Sequence, residues 1–395
     1  MTLAGSLSID LYHQEGKPCR VAIASSRPII AASQLLLGKT PRQLLDTVAL
    51  LFTLCGNAQA YTALLACRAA LGIAADPAAD NAHNMLVQLE TLREHAWPIL
   101  LTWPGLIGAV PDKKPLAALL QSIALFKQQL FRHSEAFKLD SRAETDIVPL
   151  QRLIDGLADL IDTALFNGGL ANFQRLRTDA QLRAWLRQSA ALPARLLAEV
   201  YDREWAAVGQ NQVACLPPLD AAAWLEYIRQ QDLTAFSRLP HWQGRCFETT
   251  LLNRQRAQPL IVELQGRYGN GLIVRLVARL LAVADTPTRL RQLLGCQDAG
   301  AVSAHSISCD GHALAQIQAA RGLLIHRLVL RQNKVYDYRI IAPTEWNFHP
   351  DGVAAQSLLQ LKPAAPAELK LQAELLLNAL DPCVRYTVNL TDSGR

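Results

Sequence analysis

Near the start of the chain, hydrophobic and polar residues alternate with a period of two. Leu7, Ile9 and Leu11 point one way and Ser6, Ser8 and Asp10 the other, the pattern of a half-buried strand. A turn through Glu15-Gly16-Lys17-Pro18 leads into Arg20–Ala24, which predicts a β-hairpin. At Thr40-Pro41-Arg42-Gln43 the signals change to those of a helix start. Thr40 suits the cap, Pro41 the first helical position, and Gln43 closes a capping box. The predicted helix runs through Leu44, Leu45, Val48 and Leu51 into an uncharged stretch, Thr47 to Cys67. Apolar residues then recur every three or four positions over Asn84–Leu101, Leu116–His133, Ile147–Phe166, Ala180–Ala206, Asp220–Asp232, Gly271–Val283 and Glu368–Leu380. Pro98 should kink the first of these. A second hairpin is predicted from Leu323–Leu330 and Val335–Ile341, turning at Gln332-Asn333. The breaks at Leu216-Pro217-Pro218 and Lys362–Pro366 are too short for flexible linkers, and no internal repeat is visible. The reading is an α-rich α+β fold, a bundle of long helices with small β-hairpins, forming a single domain over residues 1–395.

Composition supports helices packed on helices, because the 50% hydrophobic share is carried mostly by Leu and Ala while aromatics make up 6%. The net charge is +5, with Lys and Arg interspersed among Asp and Glu. No basic stripe with aromatics emerges, so nucleic acid is not an expected partner. Residues 1–5 show no positive region followed by an apolar one, so no export signal is expected. The eight cysteines (Cys19, Cys55, Cys67, Cys215, Cys246, Cys296, Cys309, Cys383) include no CxxC pair. A reduced, cytoplasmic protein is the simplest expectation. The uncharged stretch is long enough to span a bilayer, but Cys55-Gly56-Asn57, Gln59, Thr53 and Thr62 would lack partners in lipid. It is read as a helix buried on all sides within the protein, with no membrane partner.

Generic catalytic motifs are absent: no P-loop, no GxGxxG after a strand, no GxSxG and no HExxH. His305, Cys309 and His312, with Asp310 among them, offer three ligands to zinc without an evident fourth, and an ordinary polar turn is the preferred reading. Two other segments carry more information. One is Leu54-Cys55-Gly56-Asn57-Ala58, followed by Arg68; the other is Asp381-Pro382-Cys383-Val384-Arg385-Tyr386. Either thiol alone is explained cheaply as core packing, since free Cys behaves as a small hydrophobe.

Together with their surroundings, these segments resemble the large subunit of nickel–iron hydrogenases. That family carries R-x-C-G-x-C after its first long helix and D-P-C-x-x-C near its C-terminus. Leu35–Arg42 is similar to its L-x-G-R-x-P approach. Trp242–Arg245, Glu248-Thr249 and Leu252-Asn253-Arg254 are similar to G-R-x-x-E-T-G-x-L-A-R. Arg321-Gly322, His326 and Pro343-Thr344-Glu345-Trp346-Asn347 are similar to A-P-R-G…H…P-T-T-W-N. The matches fall in order along the whole chain, which implies the large-subunit fold.

The departures are as informative. Ala58 and Tyr386 stand where the family's bridging thiolates would be, and Leu3-Ala4-Gly5-Ser6-Leu7 replaces I-E-G-H-L with its proton-shuttling Glu. Thr62 and Asn389 stand where the family has histidines. A bridged pair of metals needs shared soft ligands, so hydrogenase activity is not expected and no nickel is expected. The resemblance is closest to the HupK/HoxV-type accessory paralogues. It implies a non-catalytic protein that handles iron as Fe(CN)2(CO), transiently, with Cys55 and Cys383 as metal ligands. It also implies that Arg321, Pro343 and Thr344 contact the cyanides, and that the partners are hydrogenase maturation proteins and the large-subunit precursor. Two other readings stay open: an interaction protein that holds no iron, and an enzyme of an unrelated kind. Residue by residue there are also plain structural readings, in which Arg321 pairs only with Glu345 and Trp346 is packed core.

Overall fold

The computed structural model describes residues 5–52, 54–144, 146–295, 305–309 and 312–393. Its first hairpin is the expected one, β1 (Ser6–Gln14) antiparallel to β2 (Lys17–Ser25), with Leu7, Ile9 and Leu11 buried. The strand β7 (Arg385–Asp392) was not predicted. It lies parallel to β1 and completes a sheet of order β2-β1-β7. The period-two signal is present in β7, where half-buried Tyr386, Val388 and Leu390 alternate with exposed neighbours, but strand pairing across the chain cannot be read from it.

The capping box at Thr40 and Gln43 is present, and the helix Pro41–Leu51 follows. The prediction that it continues through the uncharged stretch is wrong. Phe52 is extended, and a second helix, Gly56–Leu71, begins after Cys55. Every residue from Ala58 to Arg68 is buried, which accounts for the absence of charge before Arg68. That helix packs against Pro41–Leu51, against Pro77–Leu101, and against a second sheet. Among the described residues, no helix is long and apolar enough to cross a membrane.

Helix Pro77–Leu101 starts at Asp76, whose carboxylate accepts from Ala78 N and Ala79 N, and it continues through Pro98 for one more turn. It packs along Leu272–Gly295, the longest run after it. The single helix expected over Ala180–Ala206 is two, Asp179–Gln188 and Leu192–Asp202. Pro193 sits in the first turn of the second and could not have continued the first, because it has no N–H and its ring would crowd the carbonyl of Ser189. The helix from Ile147 ends at Ile161 and passes into a wider π-turn, Asp162–Phe166.

The second predicted hairpin forms part of a four-stranded antiparallel sheet: β3 (His305–Cys309), β4 (His312–Ala319), β5 (Gly322–Arg331) and β6 (Lys334–Ile341). Gln332 and Asn333 both take positive φ in the turn. The central strands are buried on both faces, between helix Gly56–Leu71 and helix Ala221–Arg229, so they are mostly apolar, with the buried polar residues Gln316, His326 and Arg327 as exceptions. His312 Nδ1 is 2.7 Å from Arg327 Nη2; Asp310 and the side chains of His305 and Cys309 lie outside the described residues.

His83 reports on the core beneath Gly56–Leu71. It stacks between Phe131 and Phe137, its Nε2 accepts from Phe137 N at 2.9 Å, and burial pushes its pKa down to about 3. The unfolded chain takes up a proton there below pH 6.5 and the folded chain does not. The stability due to His83 is therefore present above pH 6.5 and lost as pH falls towards 3. Urea unfolding of the parent and of His83→Gln should show the parent losing up to about 1.4 kcal/mol more per pH unit between pH 6.5 and 4.5. Parallel pH slopes would contradict the buried neutral imidazole.

Candidate metal centre

Cys55 is the residue from which helix Gly56–Leu71 starts, and its own side chain caps nothing. The capping group comes from the neighbouring helix. Glu90 accepts from Asn57 N at 2.8 Å and Ala58 N at 3.1 Å, placing a carboxylate at the positive end of the helix dipole. Arg93 binds the carbonyl of Leu54, which fixes the approach to Cys55 from the other side. Burial nonetheless pushes Glu90 up to about 7, with the two backbone donors pulling it down.

Cys383 follows the helix Pro366–Leu380, where Asp381 takes a left-handed conformation (φ 59°) and turns the chain towards β7. The Thr344 hydroxyl donates to Cys383 Sγ at 3.1 Å, and Pro343 fixes the first turn of the short helix Pro343–Asn347 that presents it. The Gln59 amide lies 3.8 Å from Cys55 Sγ. Gln59 Oε1 is 2.8 Å from His326 Nε2, and His326 Nδ1 is 2.6 Å from the Tyr338 hydroxyl. With Tyr338 donating, the imidazole is neutral and carries its proton on Nε2, and burial holds its pKa down at about 3.

The two thiols fall within one electrostatic site. Cys55 is pushed up to about 12, first by burial, then by the charge of Cys383 and that of Glu90, while Arg321 and Arg27 oppose the rise. Burial works against the charge of Arg321, but Asp381, Glu94 and Cys383 outweigh it. Arg321 Nη2 donates to Glu94 Oε2 at 2.8 Å, and its Nε lies 3.5 Å from Asp381 Oδ2. The pairing of Arg321 with Glu345 that the sequence allowed is therefore incorrect. Glu345 pairs instead with Arg27, a residue the sequence analysis missed. Burial works against the charge of Arg27, but Cys383, Glu345 and Cys55 outweigh it, so Arg27 is coupled electrostatically to both thiols. Its only sequence signal is its position after β2, beside Pro28. Trp346 is fully buried, as the packed-core reading held.

The Arg-Gly step is dictated by backbone space. Gly322 has φ 131°, and a Cβ there would meet the carbonyl oxygen of Thr249 at 2.0 Å, so no other residue fits. Asn347 ties the same three segments together, donating to Arg321 O at 3.1 Å and accepting from Thr249 N at 2.9 Å. Below them the fully buried Glu248 and Arg275 form a two-point ion pair.

The chemistry on offer is two soft, ionisable sulfurs flanked by two guanidinium groups. Arg321 Nη1 is buried without a hydrogen-bond partner, a vacancy for the acceptor of an anionic ligand. Ala58 is fully buried and Tyr386 lies on β7 opposite Leu7, so neither position adds a sulfur. Thr62 bonds back to Ala58 O, and Asn389 donates to Asp10. Ala4 lies outside the described residues. Among the described residues no group of three or more His, Cys, Asp and Glu side chains is arranged to hold a metal ion.

No family model matches the chain. Its backbone follows that of the Ni-Fe-Se hydrogenase from D. vulgaris Hildenborough, with a TM-score of 0.66 at 14% identity over 94% of both chains. An NAD+-reducing [NiFe]-hydrogenase gives 0.60 at 15% identity over 93% of both. The fold is thus that of the nickel–iron hydrogenase large subunit, as the ordered motifs implied. In sequence the chain is 32% identical to the hydrogenase expression/formation protein HoxV of Cupriavidus necator, over 100% of this chain and 98% of that one. It is 27% identical to HupV of Azotobacter chroococcum and 25% identical to HupK of Rhizobium leguminosarum bv. viciae, each over at least 98% of both chains. The chain belongs to this HoxV/HupK/HupV family of hydrogenase expression/formation proteins.

Because Glu90 is the cap on which the placement of Cys55 rests, Glu90→Ala should lower stability by about 1–3 kcal/mol in urea unfolding, with Glu90→Gln losing less. A loss in neither variant would mean that the helix start is fixed by other contacts.

Proposed function

We propose that this protein is a non-catalytic scaffold in hydrogenase maturation, which takes up iron as Fe(CN)2(CO) on Cys55 and Cys383 and passes it to the large-subunit precursor. The observation that carries the reading is the pairing of two mutually interacting thiols with two guanidinium groups, on a fold whose other two sulfur positions are Ala58 and Tyr386. Burial makes deprotonation of Cys55 costly, and Arg321 and Arg27 offset part of that cost. Arg321 Nη1 is the natural donor to a cyanide nitrogen, and the bond would be charge-assisted. Thr344 and Pro343 orient Cys383 and close the other side of the site.

Two thiolates, without bridging partners, would hold iron loosely enough to give it up, which a transfer scaffold requires. Among the described residues around the thiols, His326 is buried and neutral, Glu94 is committed to Arg321, and Glu90 is committed to the N–H groups of Asn57 and Ala58, so this reading gives none of them acid–base work towards hydrogen. The partners in this reading are maturation proteins and the large-subunit precursor, in the cytoplasm. The named role of the relatives in hydrogenase expression and formation supports the general task.

Infrared spectra of the protein purified anaerobically from a hydrogenase-forming host should show cyanide and carbon monoxide stretches, and Cys55→Ser or Cys383→Ser should abolish them. Both variants should also stop hydrogenase maturation in cells while leaving the thermal midpoint nearly unchanged. A buried hydroxyl replacing a purely packing thiol would instead cost on the order of 1–3 kcal/mol. Normal maturation by both variants would leave the interaction-protein reading in place of this one. The purified protein should neither consume nor evolve hydrogen, and turnover that persists after removal of contaminating hydrogenase would overturn the non-catalytic assignment.

A further inference from the structure

A cavity of about 450 Å³ opens at the surface between β2 and the short helix Pro343–Asn347. Its inner wall is made by Arg27, Thr344 and Glu345, and its rim by the exposed Arg238 and Leu239. Two of these wall residues belong to the thiol site. The Thr344 hydroxyl is bonded to Cys383 Sγ at 3.1 Å, and Arg27 lines the cavity while its charge acts on both sulfurs. The Arg27–Glu345 ion pair, with side chains only 10% and 5% exposed, is thus part of the partition between the cavity and the thiols. Glu345 Oε2 is buried without a hydrogen-bond partner, so the pair is held by one oxygen only. Of the three charged residues lining the cavity two are cationic, and the one anion is already paired with Arg27.

We propose that this cavity is the inlet through which a small anionic metal complex reaches Cys383 and Cys55, with the Arg27–Glu345 pair as its barrier. The proposal rests on the scaffold reading for the identity of the cargo, an iron complex with anionic ligands. An approaching anion competes with Glu345 for the Arg27 guanidinium. Moving Arg27 from the carboxylate to the anion opens the partition with the guanidinium still compensated, while the loss of its partner by the buried Glu345 carboxylate opposes the opening and favours reclosure. Arg238 at the mouth raises the local concentration of anions, an effect that salt weakens.

The test follows the thiols and needs no iron. The full-length protein is labelled with a dianionic disulfide, 5,5′-dithiobis(2-nitrobenzoate), and with a neutral one, 4,4′-dithiodipyridine. Modification of Cys383 is timed by peptide mass spectrometry, with exposed Cys19 as the internal control. Leu239→Trp, a surface change that fills the mouth, should slow both reagents at Cys383 and neither at Cys19. Arg27→Gln should abolish a preference for the dianion of roughly tenfold, while Arg27→Lys keeps most of it. If Leu239→Trp leaves Cys383 labelling unchanged, the thiol is reached by another route and the inlet is refuted. If Arg27→Gln changes both reagents equally, Arg27 acts on the thiol and not on the incoming anion, and the barrier role is refuted. A protein that passes this test yet shows no cyanide or carbon monoxide stretches keeps its inlet and loses the iron-scaffold reading; the opposite pair of results loses the inlet alone.

Discussion

The positive charge on Arg321 is the constraint from which the site's geometry follows. A guanidinium this deeply buried costs several kcal/mol unless anions meet it. The anions come from two distant segments, Glu94 on helix Pro77–Leu101 and Asp381 after helix Pro366–Leu380, while Arg321 itself sits in the tight β4–β5 turn. Satisfying one charge therefore sets the relative position of two helix segments and a sheet corner. Asp381 is two residues before Cys383, and Glu94 is one turn along from Glu90, which starts the helix behind Cys55. Cys383 is thus placed by a carboxylate beside it in sequence, and Cys55 by one brought from another helix. Arg279 lies 3.7 Å from the same Asp381 oxygen, so the turn into Cys383 is held from both sides.

Much of this was legible in the chain. The two hairpins, the capping box at Thr40 and most long helices follow from local periodicity and caps, and the ordered motifs gave Cys55, Cys383, Arg321 and Thr344. The start of a new helix at Gly56 was hidden because its cause lies elsewhere: Glu90 and Arg93, on another helix, dictate where it begins. Arg27 was hidden for a similar reason. Nothing about an arginine after a strand announces that Glu345, more than 300 residues later, will be its partner. The wrong pairing assumed for Arg321 is the same error from the other side. One acid near a buried arginine in sequence is a weak guide when four acids share the region in space.

The fold has been kept while the sulfur count has changed. At Ala58 a methyl group occupies a fully buried position whose backbone N–H remains in use by Glu90. At Tyr386 the side chain has become part of the β1–β7 sheet. Both replacements therefore serve packing and backbone geometry. The remaining pair of thiols sits among Arg27, Arg321, Glu90, Glu94, Asp381 and Glu345, a surrounding rich in charge for so buried a place.

The parallel pairing of β1 with β7 sets an order of events during synthesis. Asp10 and Asn389, 379 residues apart, are joined by a side-chain bond across these strands. The first hairpin emerges from the ribosome early and must wait, with one edge unpaired, until β7 has been made. Cys383 stands one residue short of that strand, with Val384 between them, so a nascent chain carries Cys55 but not its counterpart. Any cargo that requires both sulfurs can be loaded only after translation has passed this point, and a prematurely terminated chain would be unable to sequester it.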